Sequence, residues 1–420
     1  MSTSAKSIAT PQEKRTVTLL AASQALFLIT AVTVMTLSRV VGQALTPSPS
    51  LATLPVALMM VGTVVATLPA SLLMKRIGRR KGFLIGTAAG GVAGGLLATL
   101  GVLAESFLLF CLGNLLLGVY QAFAMYYRFA AADAASDAFR SRAISLVLAG
   151  GVVAAFLGPW NASYSQSLPL PTPEAGPFAV LTLLAVVATL LVAMLRIPAT
   201  APNRNDHEAA RPLQTIAAQP RFLVAVLCAA VGYAVMILVM TATPLAMRSA
   251  GFEMQQAATV MQWHVLGMFA PSFITGTLIA RLGLLNLLIA GVVVLFTAVA
   301  VALAGQGFWH FWVALVLLGI GWNFMFVGGS TLLTHTHTPA EKGKVQGVND
   351  LVVFGLVAAG SLMAGSLLHQ VGWAGLNIVL LPFLAIALLA VLWLRFAPQS
   401  TPGRLNRPIH ETPSRPRRGR

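Results

Sequence analysis

Twelve apolar stretches of about 20 residues or more, separated by short polar punctuation, run from one end of this chain to the other. They lie near 17–41, 51–74, 83–103, 107–131, 143–165, 178–197, 221–247, 256–280, 284–304, 309–333, 345–369 and 374–396. As a helix, a segment of that length crosses the ~30 Å hydrocarbon core of a bilayer. An open sheet would leave backbone groups unpaired in lipid, and the alternating pattern of a membrane barrel is absent. The expected fold is an all-α polytopic membrane protein of about twelve transmembrane helices. Composition points the same way: 57% of the residues are hydrophobic and 9% are charged, against about a quarter charged in a soluble domain. Such a chain could not cover a surface facing water.

The net charge of +16 could suggest nucleic acid, but the positions of the charges point to a membrane. Threaded with the N-terminus inside, 25 of the 27 Lys and Arg residues fall on the cytoplasmic side, leaving Arg39 and Arg248 outside. Lys6, Lys14 and Arg15 precede the first span, Lys75, Arg76, Arg79, Arg80 and Lys81 fill the loop after the second, and Arg404, Arg407, Arg415, Arg417, Arg418 and Arg420 crowd the tail. The positive-inside rule then puts both termini in the cytoplasm, with the chain in a bacterial inner membrane. The basic tail suits anionic lipid headgroups, and no nucleic-acid partner is expected. The first apolar segment is too long for a signal-peptide core and no small-residue cleavage site follows it, so it reads as a retained helix. Cys111 and Cys228 fall inside spans, as buried apolar side chains with no disulfide or metal role.

One long polar interruption, PATAPNRNDHEAARPLQTIAAQP at 198–220, divides the spans into two sets of six. The expected organisation is a cytoplasmic tail at 1–16, a six-helix half at 17–197, a cytoplasmic linker at 198–220, a second six-helix half at 221–396 and a basic tail at 397–420. A weak repeat supports the division. LLMKRIGRRKGFLIG at 72–86 and LIARLGLLNLLIAG at 278–291 place Arg76, Gly78 and Gly86 opposite Arg281, Gly283 and Gly291 at a constant offset of 205 residues. LGVYQAF at 117–123 is likewise similar to LGIGWNF at 318–324, in the fourth span of each half. Parallel repeats of this kind are common in transporters with a midplane site.

An ionisable residue inside a membrane helix costs ~2.5 to 3.5 kcal/mol on insertion scales, so Arg128, His264 and Asp350 are candidates for ion coupling. Each has a plainer reading: Arg128 snorkels to the interface, Asp350 braces a helix end, and His264 is a neutral packed side chain, although its ordinary pKa near 6.5 would suit proton coupling. In the fourth span, Asn114, Gly118, Gln121, Met125 and Arg128 are spaced 4, 3, 4 and 3 residues apart and share one helix face. That stripe either packs a neighbouring helix or walls a hydrated cavity. Gln121 lies near mid-depth, as do Tyr233, Trp322 and Asn323. A candidate substrate cavity of Asn114, Gln121, Tyr233, Trp322 and Asn323 suits an organic, largely uncharged or zwitterionic solute that stacks and accepts hydrogen bonds. His335 and His337 alternate at a helix end with only Glu341 nearby, so no metal site is expected.

The chain resembles the major facilitator superfamily over essentially its whole length apart from the tails. Its loop SLLMKRIGRRK is similar to the family's signature of Gly, three residues, Asp, a basic residue, any residue, Gly and a basic run. Gly78, Arg79 and Arg80 match the second half, while Ser71 replaces the first glycine and Lys75 stands in place of the acid. Gly158-Pro159 after Gly150-Gly151 partly matches a kinked motif that is fuller in exporters. Asn114 stands where the fourth span usually has arginine, which weakens the analogy with drug antiporters. GWNFMFVGGSTLLT and EKGKVQGVND resemble a bacterial subgroup that includes riboflavin permeases, a likeness that assigns no substrate.

The resemblance implies two pseudo-symmetric six-helix halves, with the first, fourth, seventh and tenth helices lining the pathway. It also implies a cytoplasmic gate in which Arg79 pairs with Asp133. Because Lys75 replaces the acid that would approach the start of the eleventh helix, the expectation is a reversed-charge latch of Lys75 with Asp350, or with Glu341. The expected function is secondary active transport of a small organic solute by alternating access, coupled to protons. The alternatives are an uncoupled facilitator or a non-transporting membrane receptor. No nucleophile with a base and no paired acids at helical spacing point to an enzyme, and no phosphate-binding loop points to ATP. A monomer without a cofactor is expected, and import or export stays open.

Overall fold

The computed structural model describes residues 10–46, 51–197 and 211–396. Among these, every regular element is helical. The spans are α1 (Pro11–Leu45), α2 (Leu54–Ile77), α3 (Arg79–Leu103), α4 (Phe107–Ala134), α5 (Arg140–Ser167), α6 (Ala175–Ala193), α7 (Pro220–Ser249), α8 (Gln255–Phe269 and Ser272–Leu282), α9 (Leu284–Ala304) and α10 (Phe308–Leu333). The helical run Lys342–Phe396 breaks at Gly372, which has φ 67° and ψ −177°, and so forms α11 (342–371) and α12 (373–396). The break falls between the two apolar stretches expected there, because a left-handed φ is open to glycine at little cost.

Local chemistry sets the ends. Thr10 and Glu13 cap α1 reciprocally, Glu13 N donating to Thr10 Oγ1 at 3.2 Å and Thr10 N to Glu13 Oε2 at 2.6 Å, with Pro11 at the first helical position. At C-terminal ends, α2 stops at Gly78 (φ 90°, ψ 156°) and α8 at Gly283 (φ 88°, ψ 151°). These two glycines are the ones the repeat aligns 205 residues apart, and they turn the chain in the same way in each half. The next aligned pair packs alike too. A Cβ on Gly86 would lie 2.4 Å from Phe123 Cβ, and one on Gly291 would lie 3.0 Å from Phe324 Cβ. The halves therefore share their internal packing.

Residues near the two ends of the first half share one face with its basic loops. Gln12 Nε2 donates to the Arg196 carbonyl at 3.3 Å, Arg80 Nη2 to the Ala193 carbonyl at 2.6 Å, and Ser136 N to Glu13 Oε1 at 2.6 Å. Toward this basic face the halves close along two seams. In one, α2 meets α11: a Cβ on Gly347 would lie 2.7 Å from Leu68 Cδ1, and Ser71 Oγ donates to the Gly343 carbonyl at 2.7 Å. In the other, α5 meets α8: a Cβ on Gly276 would lie 2.5 Å from Arg142 Cα, and the Ser145 hydroxyl bridges the Ser272 carbonyl and Gly276 N. Small residues let these backbones approach closely, as membrane interfaces require.

Among the spans that are interrupted, α4 and α8 break where the halves face each other. The first segment of α4 ends at Ala124 and its second begins at Tyr127, and α8 bends by 40° between Phe269 and Ser272. Breaks free backbone carbonyls, which in lipid must find donors from side chains. Arg128 Nη1 serves the Met125 carbonyl at 2.5 Å, and Asn323 Nδ2 serves Met268 at 2.7 Å.

Candidate translocation site

Between the halves an aromatic group abuts a buried ion pair. On α10, Trp322 and Phe326 lie one helical turn apart and stack, with ring centroids 5.1 Å apart and planes 15° from parallel. Tyr233 of α7 meets Trp322, Phe326 and Phe354 edge-on at 5.3, 5.2 and 5.6 Å. Phe269, at the bend of α8, adds an edge contact to Trp322 at 5.6 Å. Its ring also presses on the first half, where a Cβ on Gly151 would lie 2.2 Å from Phe269 Cγ. Pairs in this geometry add about 0.5 to 1.5 kcal/mol each beyond area burial, so the group is a rigid apolar wall.

Arg128 of α4 reaches across to this wall. Its guanidinium lies 4.6 Å from the Phe326 ring centroid and 4.3 Å from that of Phe129. Arg128 Nη2 donates to Asp350 Oδ1 at 2.5 Å and Nε to Ser330 Oγ at 3.2 Å. Both charged side chains are essentially sealed, at 2% and 0% exposure. Two charges buried this deeply offset their desolvation only through each other and through full hydrogen bonding. The two intramembrane candidates Arg128 and Asp350 are thus one unit, joining the first half to the second.

Nearer the basic face lies a second cross-half cluster. Arg79 Nε is 3.2 Å from Asp133 Oδ2, and Lys342 Nζ, from the start of α11, is 3.0 Å from the same oxygen. The Arg79 guanidinium also donates to Gln346 Oε1. Asp133 therefore faces two cations, one from each half.

The expected latch of Lys75 with Asp350 does not form. Asp350 is taken by Arg128 inside the bundle, whereas Lys75 is exposed at the basic face. The Lys75 stem lies along the start of α11, where a Cβ on Gly343 would be 3.0 Å from Lys75 Cβ, and its ammonium snorkels outward. Glu341 is not its partner either. Arg211, where the linker re-enters the described chain, holds Glu341 Oε2 at 2.7 Å through Nη2 and Oε1 at 2.8 Å through Nε. Ser71, which replaces the family glycine, supplies the contact to α11 instead.

The expected cavity residues also divide. Asn114 is sealed between α1 and α4, accepting from Ser38 Oγ at 2.9 Å and donating to the Phe110 carbonyl at 2.9 Å. Here it packs helices. Asn323 is fully engaged with Met268, Ser272 and Thr275 at the bend of α8, so it braces that bend. Trp322 and Tyr233 meet in the aromatic group, and Gln121 is half-buried, with an Oε1 that makes no hydrogen bond among the described residues. His264 is buried with Nδ1 facing the Leu315 carbonyl at 2.7 Å, an acceptor, so Nδ1 carries the proton and ties α8 to α10 within one half. Sequence reasoning passed over Phe326, Phe354 and Gln346. Each lies four residues from a residue it did single out, Trp322 or Asp350, and helical spacing alone would have drawn attention to them.

A profile of the Major Facilitator Superfamily matches residues 18–359 and 264–416. The chain belongs to this superfamily. Superfamily members are transporters, and this chain is a multi-pass membrane transporter of that fold, not an enzyme. It is 43% identical to the riboflavin transporter RfnT of Brucella anthropi over 387 residues, covering 92% of this chain and 97% of that one. It is also 27% identical to the uncharacterized MFS-type transporter YdeG of Bacillus subtilis, covering 82% and 84% of the two chains. Among solved structures, the human organic anion transporter MFSD10 shares the fold at a TM-score of 0.71 and 17% identity, covering 91% of this chain and 100% of that one. The superfamily transporter FucP, in an outward conformation, aligns at a TM-score of 0.69 and 16% identity, covering 90% and 98%.

Proposed function

We propose that this chain moves riboflavin or a close flavin analogue across the bacterial inner membrane by alternating access, with protons as the coupling ion. The likeness that carries the substrate is the 43% identity to a riboflavin transporter along nearly the whole of both chains. The wall of Trp322, Phe326, Tyr233 and Phe354 supports it, because the flavin ring is planar and aromatic and needs stacking surface more than countercharge. The basic face is assigned to the cytoplasm, with both termini and the 198–220 linker there, from the 25-to-2 distribution of Lys and Arg. On this reading the halves 17–197 and 221–396 rock as units, and Arg79, Asp133, Lys342 and Gln346 gate the cytoplasmic end.

Proton coupling rests on the Arg128–Asp350 pair. A proton on Asp350 removes the charge that holds Arg128, and so weakens the cross-half contact that closes the cytoplasmic end. Re-pairing after opening returns the proton to the cytoplasm. The test is riboflavin flux, inward and outward, in proteoliposomes with and without an imposed pH gradient. Gradient-driven accumulation supports the reading. Equilibration that ignores the gradient points to an uncoupled facilitator, and absence of riboflavin flux removes the substrate assignment.

A further inference from the structure

Several buried polar atoms at the junction of the ion pair and the aromatic wall make no hydrogen bond among the described residues. Asp350 Oδ1 takes both Arg128 Nη2 and Asn349 Nδ2, the latter at 2.7 Å, while Asp350 Oδ2 takes neither and has no hydrogen-bond partner among the described residues. Asn349 Oδ1 and Trp322 Nε1 are in the same condition. The Arg128 guanidinium has five N–H groups. Its hydrogen bonds run to Ser330, the Met125 carbonyl and Asp350, which leaves two N–H groups without a recorded hydrogen bond among the described residues. Burying an acceptor and donors without partners is unfavourable, and such atoms are retained where something else satisfies them.

The arrangement has a definite chemical complement. A buried carboxylate oxygen asks for an N–H, and flanking guanidinium N–H groups ask for carbonyl oxygens. A cyclic imide edge, reading carbonyl, N–H, carbonyl in one plane, offers that pattern. Beside it lie the rings of Phe326 and Trp322, stacked on each other in this closed arrangement, and Phe354 lies one turn from Asp350 on α11, so the ring that carries the edge would insert among aromatic side chains. We infer that Asp350 is the specificity-determining residue of the substrate site, accepting the imide N–H of a planar heteroaromatic ring through Oδ2 while Arg128 donates to a neighbouring carbonyl. The inference rests on the flavin reading, since the flavin ring carries such an edge at its N3, and it assigns which edge of the ring faces the ion pair. The ion pair thereby acquires a second role. Because the substrate engages the two groups that bridge the halves, binding reports directly to the contact that closes the cytoplasmic end.

The experiment measures binding of riboflavin and of N3-methylriboflavin to the purified full-length protein by quenching of flavin or tryptophan fluorescence. The methyl group removes the N–H and leaves the stacking face intact. Wild-type protein should bind the methylated flavin at least about tenfold more weakly, and Asp350→Asn should weaken riboflavin binding and shrink the discrimination severalfold. If that variant does not fold, Asp350→Glu, which displaces the carboxylate by one methylene, should shrink the discrimination in the same way. Equal binding of the two flavins by wild-type protein overturns the inference while leaving flavin transport intact. Discrimination that persists unchanged in a folded Asp350 variant assigns the N–H to another acceptor and overturns it too. Failure of wild-type protein to bind riboflavin at all removes the flavin reading and the inference with it.

Discussion

Arg128 and Asp350, 222 residues apart in sequence and from opposite halves of the molecule, stand 2.5 Å apart with both side chains closed off from the surface. Among the described residues, neither charge has another ionised partner in contact. Removing one should therefore leave the other stranded, at a cost of about 3 to 5 kcal/mol. Arg128→Gln and Asp350→Asn should each lower the thermal stability of detergent-purified protein sharply, and the double variant should lose less than the two losses added together. Additive losses would mean that the two residues do not interact in the membrane protein.

At the basic face, Asp133 is the shared acceptor of Arg79 and Lys342. Asp133→Asn should loosen that end and raise the labelling rate of a cysteine introduced nearby at Ser71, whereas Lys75→Ala should leave it unchanged. The charge-swapped pair Lys75→Asp with Asp350→Lys should show no mutual rescue of transport. Partial recovery in that double variant would restore the latch that the structure replaces with Ser71.

Trp322 and Asn323 are adjacent in sequence and should fail in different ways. Trp322→Ala removes stacking surface, worth on the order of 1 to 3 kcal/mol, and should raise the apparent KM for riboflavin roughly tenfold to a hundredfold at normal protein yield. Asn323→Ala unpairs the Met268 carbonyl at the bend of α8, and should lower the yield of folded protein before it changes KM. Measured side by side, unchanged KM in Trp322→Ala would remove the aromatic wall from the substrate site.

Glu341 lies in the turn before α11, outside the spans. Hydrogen bonds from the Arg211 guanidinium lead the causes that pull its carboxyl down to about 2 from an ordinary 4.5. A depressed folded value means that the stabilisation from this tether is present above 4.5 and is lost as pH falls through about 2. The melting temperature of Glu341→Gln should therefore sit below that of wild type at neutral pH and down to about 5, and the gap should close in stronger acid. A gap that widens on acidification would contradict the sign of the shift.

Orientation has its own test. Asn205 lies outside the described residues, in the linker assigned to the cytoplasm from charge alone. A reporter active only in the periplasm, fused there, should give no signal, and strong activity would invert the assignment of the basic face.

Hydropathy is a local property, so the spans and their helical nature were legible from the sequence, down to the gap that Gly372 fills. The repeat was legible as well, because Gly78 and Gly283 answer the same backbone demand for a positive φ in each half. Helical spacing also drew Arg128 and Gln121 onto one face, and polarity or aromatic character within a span singled out Trp322 and Asp350. Neither signal could say what each face meets. Asn114 belongs to the same stripe as Arg128, yet it pairs with Ser38 inside one half, while Arg128 crosses to the other half and pairs with Asp350. Proximity to a helix start suggested Lys75 for Asp350, but the length of the Lys75 stem carries its charge out to water, and the depth of Asp350 leaves it to an arginine from another helix. The sequence by itself determined which segments cross the membrane and which side chains are too polar to face lipid. Only the tertiary structure decided the partners, because a buried charge or amide is satisfied by whatever the packing of distant helices brings within about 3 Å of it.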